Sequence, residues 1–368
     1  MTFNDSPGGI YKSQVIDVIK LYQENGFNAK LIAFVSIRNY FKNRNEIKSL
    51  LPNSIVFPLF PRLRFWKLNK FWFLFLNLNS ATIVIARNVF AFNLLLGKKI
   101  KRLIYDGRGA AHAEHLEYDI YSGTGIENSI YNLELNAVML SDYRIAVSSK
   151  LVDYWAKKFG YVPEKEVVIP CTFSNEFHSG RNEHKINIIK KDLGIKRNDI
   201  VLIYSGSTAE WQSFNILLAT VTNLLCENRN FKMIFLSQNH NAIRKIMNEF
   251  PGRIFQFLVP HEEVPIYLDV AHFGLLIRDD TITNKVSSPV KCAEYLSRGL
   301  KIIISPGVGD YTNEIFQHNL GFVIDNKVNI KNLTFNALKR DHQKEYANTY
   351  LSKRSKIIVK KYLSLTDL

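Results

Sequence analysis

The 368-residue chain contains no run of eighteen or more uninterrupted apolar residues, so no segment is long enough to cross a bilayer as a helix. Its first nine residues are polar and lack the basic-then-apolar layout of a secretory signal, and the expected location is the cytoplasm. Cysteine is scarce: Cys171, Cys226 and Cys292 are far apart, odd in number and without C-x-x-C spacing. That argues against a disulfide framework or a zinc site and reads as three small buried hydrophobes. Acidic residues are also in deficit, 33 Asp and Glu against 48 Lys and Arg, for a formal net charge of +15. Residues 1–105 hold 16 basic side chains and only 4 acidic ones. Nucleic acid, anionic lipid headgroups and phosphorylated substrates all suit such a field, and charge alone does not choose among them.

What is present is a chain 46% hydrophobic and 22% charged, ordinary for a soluble globular protein but too long for one core, so two domains are expected. Apolar β-rich runs alternate with amphipathic helical stretches, the pattern of parallel sheets flanked by helices. The runs at 30–35, 55–57, 82–86, 102–105 and 143–147 form a first series, and those at 200–204, 231–236, 274–277 and 301–304 a second. The polar stretch 173–185, with a basic segment reaching 197, reads as the linker between two doubly wound α/β halves. The domains are therefore expected at 1–172 and 198–340, with a linker region at 173–197 and a basic helical stretch at 341–368 that continues without Pro or Gly. In such sheets ligands bind beyond the carboxyl ends of strands.

Several strand ends of the second half carry suitable chemistry. After Tyr204 comes a turn of small residues, Ser205-Gly206-Ser207-Thr208, whose N–H groups can approach a phosphate. Arg278 stands at the end of the run 274–277, followed by Asp279 and Asp280. Pro289 suits the first turn of a helix and Ser288 its N-cap. That helix would carry Lys291 in its first turn and Glu294 one turn on, a cation for a diphosphate and a carboxylate for ribose hydroxyls. A capped surface helix with a local Lys–Glu pair would have the same spacing.

The pattern Ser288-Pro289-x-Lys291-x-x-Glu294-Tyr295-Leu296-x-x-Gly299, then Ser305-Pro306-Gly307, resembles the donor half of the retaining GT-B glycosyltransferases of the family 4-like group, nucleotide-sugar transferases of bacterial polysaccharide and glycolipid assembly. Ser205-Gly206, the segment from His261 to Leu268, and Gly274 to Arg278 fall in that group's order, and Gly8-Gly9-Ile10 resembles its glycine turn. The resemblance implies two Rossmann-like domains facing a central cleft, an acceptor side first and a donor side second, with a C-terminal helix that crosses back to the first domain. It implies donor contacts from Gly9, Ser205, Gly206, Gln212, Arg278, Ser288, Lys291 and Glu294. Arg278 and Lys291 would stabilise the leaving diphosphate, with Asp106 and Arg108 as the acceptor-side catalytic pair.

Three departures bear on this. Many relatives carry a second glutamate eight positions before the one matched by Glu294, where this chain has Val286. Where relatives place an Arg and a Lys after the Ser-Gly turn, this chain has Glu210-Trp211-Gln212, and Arg278 and Lys291 are expected to take over that grip. In place of a histidine after a first-half strand stands Asp106, with Arg108, His112, Glu114 and His115 close behind. No cofactor and no metal are expected. A nucleotide-sugar epimerase of the same fold, or an inactive binding subunit, are the alternatives to a transferase.

The acceptor is read from 61–78, where Arg62, Arg64, Lys67 and Lys70 interleave with Trp66, Trp72 and four phenylalanines. Too short and basic to span a bilayer, it reads as an interfacial helix on anionic lipid, with Arg64, Trp66, Lys67, Lys70 and Trp72 as contacts, or else as a core helix. No nucleic-acid fold accompanies these residues, so the expected partners are a nucleotide-sugar donor, a lipid-linked or other saccharide acceptor, and the inner face of a membrane.

Overall fold

The computed structural model describes residues 1–324 and 340–367. Residues 325–339 of the expected second domain, and Leu368, lie outside them.

The apolar runs form parallel strands in two units. The first unit comprises Met1–Cys171, Lys285–Ser288 and Lys356–Leu368. Its strands are β1 (Thr2–Phe3), β2 (Ile32–Val35), β3 (Ile55–Pro58), β4 (Ile83–Arg87), β5 (Arg102–Gly107), β6 (Tyr143–Ala146) and β7 (Glu166–Val168). They pair in the orders β1-β2-β3 and β4-β5-β6-β7. The two sets meet at the chain start, where the Met1 amino group donates to Ile85 O at 2.6 Å and Arg87 N–H donates to Met1 O at 2.9 Å. These bonds join the two sets in the order β3-β2-β1-β4-β5-β6-β7, with β1 two residues long.

The second unit comprises Thr172–Asn284 and Pro289–Ser355. Its strands β8 (Ile200–Ser205), β9 (Phe231–Leu236), β10 (Ile254–Phe257), β11 (Phe273–Leu276), β12 (Lys301–Ile304) and β13 (Gly321–Val323) are ordered β10-β9-β8-β11-β12-β13, all parallel. This is the doubly wound order, with its reversal between β8 and β11. Alternation divides the strands between two cores: Val201, Ile203, Ile234, Leu276 and Ile302 enter one cluster, and Leu202, Tyr204, Met233, Leu275 and Ile303 the other. Side chains of period two thus bury both faces of the sheet, which is why these strands read as unbroken apolar runs.

Residues 173–197, expected as a linker, include a helix at Glu183–Asp192, and Phe173, Phe177 and Ile186 enter the second unit's core. The C-terminal stretch is two helices, Arg340–Tyr350 and Lys356–Asp367, rather than one. Between them Leu351 O accepts from Phe173 N–H and Ser352 Oγ accepts from Arg354 N–H, bonds that compete with a helical ladder. The last helix returns to the first unit as expected: Ile358, Tyr362 and Leu365 pack with Val18, Leu21 and Ile104, and Tyr22 OH donates to Tyr362 O.

The segment expected as an interfacial helix takes a different form. Leu63–Phe75 is 3₁₀-helical, with a kink at Phe65. Trp66 and Phe73 are buried, and Trp72 is half-buried and stacked on Phe57 at 5.1 Å. The tryptophans chosen as surface contacts therefore face the core, because their bulk fills space against β3 and Phe90. Arg64, Lys67 and Lys70 are exposed. Cys171 and Cys292 are buried, whereas Cys226 is exposed, contrary to expectation. No helix among the described residues is long and apolar enough to cross a membrane.

Candidate active site

In a doubly wound sheet ligands bind where the strand order reverses, and Ser205, Gly206, Gln212, Arg278, Lys291 and Glu294 lie at that end of β8 and β11, whereas Gly9 and Ser288 belong to the first unit. Beyond β8, Ser205 N–H donates to Tyr295 OH at 2.9 Å, tying the turn to the helix Val290–Ser297. Gly206 has φ +151°, and a Cβ there would collide with the end of the Lys291 side chain. Glycine is required here on both counts: the backbone disfavours an L side chain, and the lysine occupies the space one would fill.

Lys291 lies in the first turn of that helix and is buried against the turn. Its Nζ donates to Tyr204 OH at 3.1 Å and to Gln212 Oε1, and sits 4.3 Å from the centre of the Tyr204 ring. Burial, and then the Arg278 guanidinium, push the ammonium well below the usual lysine range, while Glu294 opposes them. One turn on, burial pushes the Glu294 carboxyl up to about 7 against the pull of Lys291. Arg278, at the end of β11, is held through its backbone by a reciprocal pair of bonds with Ser305 Oγ, 2.8 and 3.0 Å. Its Nη1 donates to Trp211 O at 2.6 Å. Both cations are thus attached to the 3₁₀ turn Glu210–Gln212, where the expected Arg and Lys are missing.

Two donor-side expectations change. Ser288 does not cap the helix: Pro289 holds the N-cap position without a side-chain bond, and Ser288 Oγ accepts the Cys171 N–H at 2.9 Å. Pro289 itself takes an extended backbone at the helix entrance. Val286 is buried, and its carbonyl accepts from Ser148 Oγ at 2.6 Å.

In the first unit, Asp106 ends β5 with its carboxylate between two guanidiniums, Arg108 Nε at 2.8 Å and Arg87 Nη1 at 3.6 Å. Arg87 also faces Asp5, and Arg108 Nη1 reaches Gln14 Oε1 at 3.5 Å. Gln14 sits in a π-helical turn, Lys12–Ile16, just after Gly9, so the glycine turn and the Asp106 strand end share one polar network. Gly107 is where the Trp155 ring crosses the strand and Gly109 is where the Glu114 carboxyl packs; a Cβ at either would collide. Glu134 was not legible as a site residue, yet it lies fully buried with Oε2 accepting the His112 N–H at 2.8 Å at the start of the helix Ala111–Tyr118. Burial pushes Glu134 up to about 8 and Glu114 up to about 7. Tyr204 and Arg87 also went unread, because a buried aromatic and a strand-end arginine have no local signature of their roles. Among the described residues no group of three His, Cys, Asp or Glu is placed to hold a metal ion.

Neither a family model nor a curated protein matches the sequence. Solved structures do. Anabaena Alr3699/HepE in complex with UDP superposes at a TM-score of 0.72 over 100% of this chain and 98% of that chain, with 13% identity. The fold is GT-B. Sucrose-phosphate synthase from Thermosynechococcus elongatus matches at TM-score 0.68 over 100% and 98% of the two chains, with 10% identity. WaaG, a glycosyltransferase involved in lipopolysaccharide biosynthesis, matches at 0.59 over 100% and 97%, with 12% identity. Within this GT-B fold Arg278 and Lys291 lie together at the strand-order reversal of the second unit.

Proposed function

We propose that the chain is a retaining glycosyltransferase that moves a sugar from a nucleotide-sugar donor to a saccharide carried on a lipid, at the inner face of a membrane, in polysaccharide or glycolipid biosynthesis. The observation that carries this reading is the cluster at the end of β8 and β11, where Lys291 lies against Gly206, Arg278 stands beside it and Glu294 follows one helical turn on. A diphosphate meets two cations there, and a ribose meets a carboxylate.

In the reaction the bond from the anomeric carbon to the diphosphate oxygen breaks, and a bond to the acceptor hydroxyl oxygen forms on the same face. The acceptor's proton leaves with the departing phosphate. Negative charge grows on the diphosphate as the bond breaks, and Lys291 and Arg278, already desolvated, stabilise it. These two cations do the work that a divalent ion does elsewhere, so the reading needs no metal and no cofactor. On the acceptor side Asp106 is taken up by two guanidiniums and orients Arg108, whose mostly buried side chain keeps a small exposed part for acceptor hydroxyls. Val286 favours a second reading, a nucleotide-sugar binder without turnover, since no carboxylate stands at that position.

Turnover of UDP-, GDP- and dTDP-sugars with a polyprenyl-diphosphate-sugar acceptor tests both, with UDP-glucose first because Alr3699/HepE is seen with UDP and glucose. Transfer with retained anomeric configuration supports the proposal. Nucleotide binding without turnover on any donor supports the second reading, and no binding of any nucleoside diphosphate refutes both.

A further inference from the structure

From residue 47 to residue 105 the chain contains ten Lys and Arg and no Asp or Glu. The middle of this stretch is the 3₁₀ segment Leu63–Phe75. A 3₁₀ helix has three residues per turn, so beyond the kink at Phe65 side chains three apart fall near one another. Trp66 and Asn69 form one side, buried; Asn69 fastens it by accepting the Phe60 N–H and donating to Trp66 O. Lys67 and Lys70 form a second row, exposed until it reaches the buried Phe73, and Arg64 before the kink is exposed as well. Leu68, Phe71 and Leu74 form a third and are 54%, 50% and 77% exposed, with Phe65 at the kink 41% exposed.

Beyond the kink at Phe65, Leu68, Phe71 and Leu74 follow at three-residue spacing, a row of about 12 Å at about 2 Å of rise per residue, with Lys67 and Lys70 beside it.

We propose that this segment lies flat on an anionic lipid membrane, with Phe65, Leu68, Phe71 and Leu74 in the boundary between headgroups and acyl chains and Arg64, Lys67 and Lys70 against lipid phosphates. Charge complementarity selects the occupant. A nucleic acid would use the cations and leave the four apolar side chains in water, and the centre of a protein interface is depleted of charge. A lipid surface takes both rows at once, apolar inward and cationic at the phosphates. The inference deepens the reading of a lipid-linked acceptor and rests on it for its purpose, yet vesicle binding needs no donor, so the two can fail separately.

The test is co-sedimentation of the full chain with vesicles of phosphatidylglycerol and phosphatidylcholine, and with phosphatidylcholine alone, at low and high salt. Wild type should bind the anionic vesicles and lose part of that binding in high salt. Arg64→Gln/Lys67→Gln/Lys70→Gln should bind roughly 100-fold more weakly at low salt, and less weakly than that, relative to wild type, at high salt. Leu68→Ser/Phe71→Ser/Leu74→Ser should bind more weakly at every salt concentration. Arg229→Gln/Arg244→Gln/Lys245→Gln, the same change in net charge at exposed positions of the second unit, should bind as wild type does. Circular dichroism of each variant checks that the chain still folds, and UDP calorimetry on wild type tests the proposed donor site separately. Failure of wild type to bind anionic vesicles, or an equal loss in the control triple, overturns the proposal. If vesicles bind but no nucleotide does, the proposed activity falls and the membrane surface stands.

Discussion

Glu294 offers the sharpest test of the donor site, because its carboxyl is pushed up to about 7 by burial and its proposed task requires the ionised form. Ribose hydroxyls donate to a carboxylate, so nucleotide binding should lower the proton affinity of Glu294, and the ligand should bind more tightly wherever the carboxylate is already formed. With a free-state value near 7, about one-eleventh of the molecules carry the carboxylate at pH 6 and about ten-elevenths at pH 8. UDP affinity should therefore rise about tenfold between those values from this residue alone. The terminal phosphate of UDP ionises near pH 6 and adds its own rise, which is common to any variant. Glu294→Gln should keep only that common part, so the ratio of wild-type to variant affinity should itself climb about tenfold from pH 6 to pH 8. At pH 8 the variant should be weaker by about 1.5 to 3 kcal/mol, the loss of a charged hydrogen-bond partner. Isothermal titration calorimetry of UDP across this range measures both quantities. Parallel pH curves for the two proteins would refute the assignment of Glu294 to the ribose.

Gly206→Ala should abolish detectable UDP binding while leaving the unit folded, because the backbone is strained for alanine and the new Cβ displaces Lys291; calorimetry with circular dichroism checks it. Arg278→Lys should lower kcat/KM by tenfold or more, since an ammonium cannot reproduce both a bidentate phosphate contact and the bond to Trp211 O; full activity would reduce Arg278 to a general positive charge. Glu134 has its proton affinity raised by folding, to about 8, so its contribution to stability is largest when protonated and is lost as pH rises from the ordinary carboxyl range through about 8. Thermal melts should accordingly show Glu134→Gln gaining stability relative to wild type between pH 6 and pH 9, and equal slopes in the two proteins would refute it.

What the sequence by itself determined was what has short range. Strands with both faces buried read as apolar runs, and 231–236 and 301–304 fall on β9 and β12 residue for residue. The spacing of Lys291 and Glu294 placed a cation and a carboxylate one turn apart because helical periodicity is local. Short, partly buried β10 and β13 escaped that reading, since Gln256 and Gly321 interrupt the runs. The tertiary structure decided everything that depends on partners distant in sequence. Ser288 looks like a helix cap until Cys171, 117 residues away, takes its hydroxyl. Lys291 is held by Tyr204 and Gln212, 87 and 79 residues away, and this shared desolvation, rather than any motif, sets its proton affinity and that of Glu294. The segment 63–75 shows the division most plainly. Its composition announced a basic aromatic surface, but which side chains face out was decided by the packing of Trp66, Asn69 and Phe73 against the core.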